Sequence, residues 1–388
     1  MDDNFASRIS VIKAAHLYRV LRTLSTSQGR EVVIDGQRVL LFSSNSYLGL
    51  NTNGHICREA VRAIEEFGVG SGGSRLVTGN MTPHMRLEAA LAQFKGSEAA
   101  LAFTSGYTAN VGVISALCHK DTVIFSDALN HASIIDGCRL ARGLTAVYAH
   151  NDLDDLLKKV RHFRPRQGFI VTDSVFSMDG DIARLPDLAA IAREYGLTLM
   201  VDDAHATGVL GATGRGSLEH FGLSHEDVPV VTGTLSKAVP SEGGFVCGSA
   251  SLCDLIRNTA RSFIFTTAPS PSTAATAAAG IEYIAAHPEL VRQLQDNVAW
   301  FAQSLARRGL GVHGQSPIIP IMVGDEERAA RAAEALLALG VFAPCIRYPT
   351  VPKGMARLRL TVMAAHTRED LDYAADCLEK ALAAAGAD

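Results

Sequence analysis

From residue 99 to residue 247 the sequence repeats one pattern: a short uninterrupted apolar run, then a stretch with apolar residues at three- and four-residue steps. The clearest runs are 99–104, 122–126, 146–149, 169–172, 198–201, 228–232 and 244–247, and the clearest helical patterns between them are 153–163 and 185–195. A strand without polar alternation is buried on both faces, and amphipathic helices between such strands supply the covering layers. The pattern predicts an α/β fold built on a large, mainly parallel sheet covered by helices. Ligands of open sheets of this kind sit beyond the carboxyl ends of the strands. Chemistry is therefore to be sought in the residues that follow each apolar run.

The flanks read differently. Ile9, Ile12, Leu17, Val20, Leu21 and Leu24 recur mostly at helical steps, which predicts a helix continuing to about Ser27. Residues 31–42 alternate about Asp35-Gly36, the signature of a hairpin. After an alanine-rich helical stretch at 273–286, helical patterns at 289–308, 326–339 and 368–385 enclose strand-like 318–323 and 356–360. The expected organisation is an N-terminal helix and hairpin segment over 1–45, a large α/β domain over 46–285 and a smaller C-terminal α+β domain over 286–388. A net charge of −4 without a long basic run gives nucleic acids and anionic membranes no electrostatic foothold. No run approaches the ~18 uninterrupted apolar residues that a membrane span requires. The start, MDDNFASR, lacks the charged-then-apolar layout of a signal peptide, so a cytoplasmic location is expected. Seven cysteines stand in neither CxxC nor Cys/His spacing, so neither a disulfide framework nor a metal site is expected.

The strand ends carry an uncommon set of residues. Run 99–104 ends in Ser105-Gly106-Tyr107, a small-residue turn whose backbone N–H groups, at a helix start, can cradle a phosphate. Run 122–126 leads to His131, and 198–201 delivers Asp202, Asp203 and His205. Run 228–232 delivers Thr234, Ser236 and Lys237. A lysine at the mouth of a hydrophobic sheet is partly desolvated, is neutral more of the time, and can attack an aldehyde. A lysine for an aldehyde, a carboxylate for a pyridine nitrogen, a flat group against a ring and a cup for a phosphate together describe pyridoxal 5′-phosphate (PLP). Lys237, Asp202, His131, and Ser105–Tyr107 with Thr234 supply these in turn.

The strings SSNSYLGL (43–50), GVGSGGSRLVTGN (68–80), SGYTAN (105–110), NHASIIDG (130–137), VFSMDGD (175–181), VDDAHATGVLG (201–211), GTLSKA (233–238) and RLRLTVMAAH (357–366) resemble the α-oxoamine synthase family of fold-type I PLP enzymes along nearly the whole chain. The resemblance implies that Lys237 carries PLP as a Schiff base, Asp202 pairs with the pyridine nitrogen, His205 bonds the ring hydroxyl and His131 stacks on the ring. It places Gly106, Tyr107, Ser177, Thr234 and Ser236 about the cofactor. It gives Arg359 the amino acid's carboxylate and lines the acyl path with Arg19, Asn45 and Thr350. It further implies a homodimer in which Thr266 or Thr267 reaches the neighbouring subunit's phosphate. The implied activity is a decarboxylative Claisen condensation: a small amino acid attacks an acyl thioester, releasing CO2 and a free thiol. Strings GSGGSRLVTG and TVPKGMARLRLTVMAAH are most similar to members that join L-alanine to a pimeloyl group carried on CoA or a carrier protein.

Departures from the family pattern cluster after the lysine, where the chain reads Lys237-Ala238-Val239-Pro240-Ser241-Glu242, and at FTTAPSP (265–271). The resemblance places these near the acyl entrance, so they bear on the acyl chain more than on the reaction. Within the family, glycine- and serine-using members are the neighbouring alternatives. An aminotransferase on the same fold would need no thioester. A non-catalytic relative is opposed by the intact Lys237, Asp202 and His205 and would show no absorbance from bound PLP.

Overall fold

A computed structural model describes residues 2–14, 17–312 and 314–386. Its centre is a seven-stranded sheet, whose strands we number β1 (Ala99–Phe103), β2 (Val123–Asp127), β3 (Leu144–Tyr148), β4 (Gly168–Asp173), β5 (Thr198–Asp202), β6 (Val230–Thr234) and β7 (Gly244–Gly248). The spatial order is β1-β7-β6-β5-β4-β2-β3. β6, β5, β4, β2 and β3 run parallel, whereas β7 lies antiparallel between β1 and β6. Each apolar run of the sequence is one of these strands, and burial on both faces explains the missing alternation: every residue of β6 and β7 is buried. The intervening helices Leu153–Phe163 and Leu185–Tyr195 form as predicted. Asp152 accepts from Asp155 N to begin the first of them, and left-handed Gly196 ends the second.

The flanking elements bring distant sequence together. Strands Glu31–Ile34 and Gln37–Leu41 form the predicted hairpin, and the second also pairs in parallel with Val341–Phe342. Ile318–Gly324, Ala356–Thr361 and Cys345–Ile346 make a separate antiparallel sheet, with helices Pro288–Ala306, Glu326–Ala338 and Arg368–Ala385 in the same part of the chain. Arg357 and Arg359 stand on Ala356–Thr361, the strand between the other two.

One expectation needs correction. The N-terminal helix is Asp2–Ala14; residues 15 and 16 lie outside the described residues, and 17–23 are not helical. Arg19 therefore stands on a non-helical segment. Two forces oppose continuation. Side chains 4–14 are all exposed, so the helix has no described surface to pack on. From Leu24 onward the backbone instead extends the hairpin, with an antiparallel bridge to Ile34 and a Ser25 N–H donating to Val33 O at 2.9 Å. No described helix is long and apolar enough to cross a membrane.

Candidate active site

Beyond the carboxyl ends of β5 and β6, a cavity of about 210 Å³ is lined by Ser105, Gly106, Tyr107, Asn110, His131, Ser133, Asp173, Asp202, Ala204, His205, Thr234, Ser236 and Lys237. Nine of the residues expected at a cofactor site thus converge there. A larger hollow of about 670 Å³ beside His150 and Asp187 holds none of them.

Asp202 is the last residue of β5, and its side chain is buried. Its Oδ1 accepts from Ala204 N at 2.8 Å and its Oδ2 from Asn110 Nδ2 at 2.6 Å. Asn110 lies one turn into helix Gly106–Leu117, and its amide is used in full: Nδ2 also donates to Ser133 Oγ at 2.9 Å, and Oδ1 accepts from Thr232 Oγ1 at 2.8 Å. Ser133 Oγ in turn lies 2.7 Å from His131 Nδ1. A continuous hydrogen-bonded line therefore runs from the carboxylate to the imidazole on the cavity wall. His131 is fixed from its other side by its backbone N–H, which donates to Asp173 Oδ2 at 2.7 Å. Burial, next to the Asp202 charge, pushes the Asp173 carboxyl well above the usual carboxylate range.

Lys237 follows β6 by three residues and is partly buried. Burial lowers its ammonium pKa to about 8, against the opposing pull of Asp202 and Asp173. Burial also depresses the proton affinity of His131, and of His205 more strongly, where the positive Lys237 and Arg359 add to it. Below these groups lies the turn that opens helix Gly106–Leu117. Ser105 Oγ accepts from Thr108 N at 3.1 Å, capping the first turn. A Cβ at position 106 would stand 3.1 Å from Thr234 Cβ, so only glycine leaves the helix start open to Thr234 without contact. Thr234 Oγ1 and Ser236 Oγ are 2.7 Å apart.

A second cluster adjoins the cavity. Arg359 is buried, with Nε donating to Ser177 O at 2.6 Å and Nη2 to Asn45 Oδ1 at 3.2 Å. Tyr47 OH lies 3.2 Å from the same Asn45 oxygen and 2.7 Å from His205 Nδ1. Ser177, Asn45 and Arg359 thus join the cofactor-side residues through Tyr47. Three expected residues are not brought in. Arg19 is exposed, Thr350 is exposed in a turn whose N–H donates to Arg347 O at 3.0 Å, and Thr267 is exposed beside the half-buried Thr266. Glu242 also points to solvent and does not line the cavity.

Asn110, Ser133, Asp173 and Tyr47 were not anticipated. Asn110 stands four residues after Gly106, one helical turn on, and that spacing was the available signal. Tyr47 carries no such signal, because a lone tyrosine in SNSYLGL reads as core.

The model of the family "Aminotransferase class I and II" matches residues 37–378. Among curated proteins, the 8-amino-7-oxononanoate synthase of Lysinibacillus sphaericus is 49% identical over 382 residues, 98% of each chain. A Desulfovibrio desulfuricans protein bearing that name provisionally is 81% identical over 378 residues, 97% of this chain and 98% of its own. The chain is an α-oxoamine synthase of the class I and II aminotransferase family. Solved structures agree on the fold of this α-oxoamine synthase. A serine palmitoyltransferase variant from S. paucimobilis, solved with bound PLP and myriocin, superposes with TM-score 0.93 at 31% identity, covering 100% of this chain and 98% of its own. The 8-amino-7-oxononanoate synthase of Francisella tularensis superposes with TM-score 0.77 at 28% identity, covering 88% and 97%.

The residues of this α-oxoamine synthase fit PLP. An amine of lowered pKa, a carboxylate accepting two N–H donors, an imidazole on the wall, and a glycine-opened helix start beside two hydroxyls match the chemistry that the cofactor demands.

Proposed function

We propose that this α-oxoamine synthase condenses L-alanine with a pimeloyl thioester, on CoA or a carrier protein, giving 8-amino-7-oxononanoate, CO2 and free thiol. The observation that carries the reaction class is the convergence of Lys237, Asp202, His131 and His205 on one cavity, with Arg359 tied to His205 through Asn45 and Tyr47. The substrates rest on the names of relatives 49% and 81% identical along the whole chain.

PLP, when bound, supplies an electron sink that stabilises negative charge at the amino acid's α-carbon. Lys237 holds the cofactor's aldehyde and moves the α-proton at its Nζ; a pKa of about 8 leaves a usable neutral fraction near neutral pH. Asp202 would hold the ring nitrogen in its protonated form, and His205 would bond the ring hydroxyl. Gly106 and Tyr107 offer backbone contacts, Thr234 and Ser236 meet the phosphate, and Ser177 bears on the site through its carbonyl to Arg359. Arg359, buried beside the cavity and held by Ser177 O and Asn45 Oδ1, is the cation that takes the substrate carboxylate. His131 polarises the thioester carbonyl, which directs the thiol away as the new C–C bond forms. Asn45, bonded to Arg359, lines the inner end of the acyl path, and Arg19 and Thr350, exposed and outside the cavity, would meet the acyl chain only at its outer end.

The active form is proposed to be a homodimer, with Thr266 or Thr267 completing the neighbour's phosphate site. The support is a surface that one chain leaves uncovered: Phe265 is exposed two residues before Thr267, Val69 and Val77 are exposed on either side of Gly73, whose carbonyl accepts from Ala268 N at 3.0 Å, and the N-terminal helix exposes Phe5, Ile9 and Val11.

A serine-using reading is favoured by one observation, the higher TM-score to serine palmitoyltransferase. Backbone path is shared across a family, however, while specificity sits in side chains. A thiol-release assay pairing alanine, serine and glycine with pimeloyl, short and long acyl thioesters decides between them. Alanine with a pimeloyl thioester is expected to release CO2 and thiol together. Turnover of a neutral long-chain thioester with serine, and none of the pimeloyl one with alanine, would overturn the substrate assignment and leave the reaction class standing.

A further inference from the structure

We propose that Tyr47 is a positioning residue that fixes the tautomer of His205: its hydroxyl donates to Nδ1, so that the imidazole presents Nε2–H, a hydrogen-bond donor, to the cavity. The inference rests on the reading that PLP sits in this cavity, and it adds the residue that sets the polarity of one cavity wall.

The argument is one of donors and acceptors. Tyr47 is fully buried, and its backbone is held by a 2.8 Å bond from its N–H to Asn45 O and by a 2.7 Å bond from Ala364 N–H to its own carbonyl. Its hydroxyl has one proton and two acceptors in reach, His205 Nδ1 at 2.7 Å and Asn45 Oδ1 at 3.2 Å, while the Arg359 guanidinium, which can only donate, bonds the hydroxyl oxygen and leaves its proton free for one of them. The Asn45 amide is not free to turn its nitrogen towards Tyr47. A guanidinium can only donate, and Arg359 Nη2 stands 3.2 Å from Oδ1, which fixes that atom as the oxygen. Asn45 Oδ1 is thus an acceptor already served by a cation, at the longer distance. Nδ1 is the nearer acceptor and has no other donor among the described residues. The proton belongs on the line to His205.

His205 itself is buried, and its environment, with Lys237 and Arg359 nearby, disfavours a second ring proton. A neutral imidazole has one N–H, and what its first nitrogen does decides what its second presents. With Nδ1 accepting from Tyr47, the proton lies on Nε2, which no described residue engages, and His205 lines the cavity. The reverse arrangement, with Tyr47 donating to Asn45 and accepting from Nδ1–H, would turn a lone pair towards the cavity. The two arrangements are opposite for an anionic ring oxygen: the first stabilises it, the second repels it.

Two measurements test this. In the holoenzyme, the pH midpoint of the visible absorption band of cofactor on Lys237 is compared between wild type and Tyr47→Phe. Weakening the donor to the ring oxygen raises that midpoint, and a rise of about one pH unit is expected. In the apoprotein, the nitrogen-15 shifts of His205, assigned by their loss in His205→Gln, are expected to show the proton on Nε2 in wild type and a loss of that preference in Tyr47→Phe. An unchanged midpoint in Tyr47→Phe, or a wild-type apoprotein with the proton on Nδ1, overturns the inference. If Tyr47→Phe does not fold, the wild-type apoprotein spectrum decides alone. A wild-type protein that takes up PLP on another lysine refutes the cofactor reading instead, and the apoprotein spectrum separates the two failures.

Discussion

Replacing Asn110 by leucine, which keeps its approximate volume and removes its polar atoms, tests how the cavity holds its carboxylate. Asn110 is 1% exposed and makes three hydrogen bonds, one of them to the Asp202 carboxylate at 2.6 Å. A hydrogen bond to a charged group contributes about 1.5–3 kcal/mol net and a neutral one about 0.5–1.5 kcal/mol. The loss is therefore worth about 2.5–6 kcal/mol, with the buried Thr232 hydroxyl left without its partner. Asp202 keeps only Ala204 N as a donor, and Ser133 is released from the side opposite His131. Urea unfolding of the apoprotein reads the stability without linkage to bound cofactor. Alongside it, α-proton exchange of alanine by the holoenzyme is expected to slow at least tenfold, since Asp202 and His131 lose their common support. A stability loss under about 1 kcal/mol would refute the reasoning, because it would mean that the bonds are remade elsewhere.

Lys237→Ala is expected to fold but to hold no covalent cofactor, and borohydride trapping followed by peptide mapping of wild type should place the adduct on Lys237 alone. Because the lysine's pKa is lowered to about 8, the neutral amine is scarce below that pH and dominant above it. Capture of PLP by the apoprotein should accelerate with rising pH and level off above about 8, and a midpoint near that of free lysine would contradict the depressed value. Asp202→Asn should retain PLP, since the phosphate-side residues are untouched, yet lose most α-proton exchange; exchange at the wild-type rate would remove Asp202 from its proposed role. Sedimentation should show a dimer at assay concentrations, and an active monomer would refute the shared site.

Much of this architecture was legible because its strands are buried on both faces, which writes them as bare apolar runs such as 198–201 and 228–232. Helices with capping residues, such as Leu153–Phe163 after Asp152, were legible to the residue. The N-terminal helix was over-read because periodicity describes what a segment could bury, and this one has no described surface to bury it against. Lys237, Asp202 and His205 announced themselves by following strands. Asn110 and Tyr47 did not, since a buried asparagine or tyrosine acquires its meaning only from partners across the fold, 92 and 158 residues away. Arg359 was located by resemblance, and its neighbours Asn45 and Ser177 are 314 and 182 residues distant in sequence.

That last separation has a consequence for synthesis. The hairpin strand Gln37–Leu41 needs Val341–Phe342 beside it, and Asn45 needs Arg359. At a translation rate of about 5–20 residues per second, roughly 15–60 s pass between the emergence of Asn45 and that of Arg359. Throughout that interval the β-edge of residues 37–41 is unpaired on one side and Tyr47 lacks the cation that orients its neighbour. The nascent chain therefore carries an open strand edge until Val341–Phe342 is made and an unfinished catalytic wall until Arg359 is made, and a ribosome-bound chaperone that shields the N-terminal hairpin should raise the yield of active enzyme more than one acting after release.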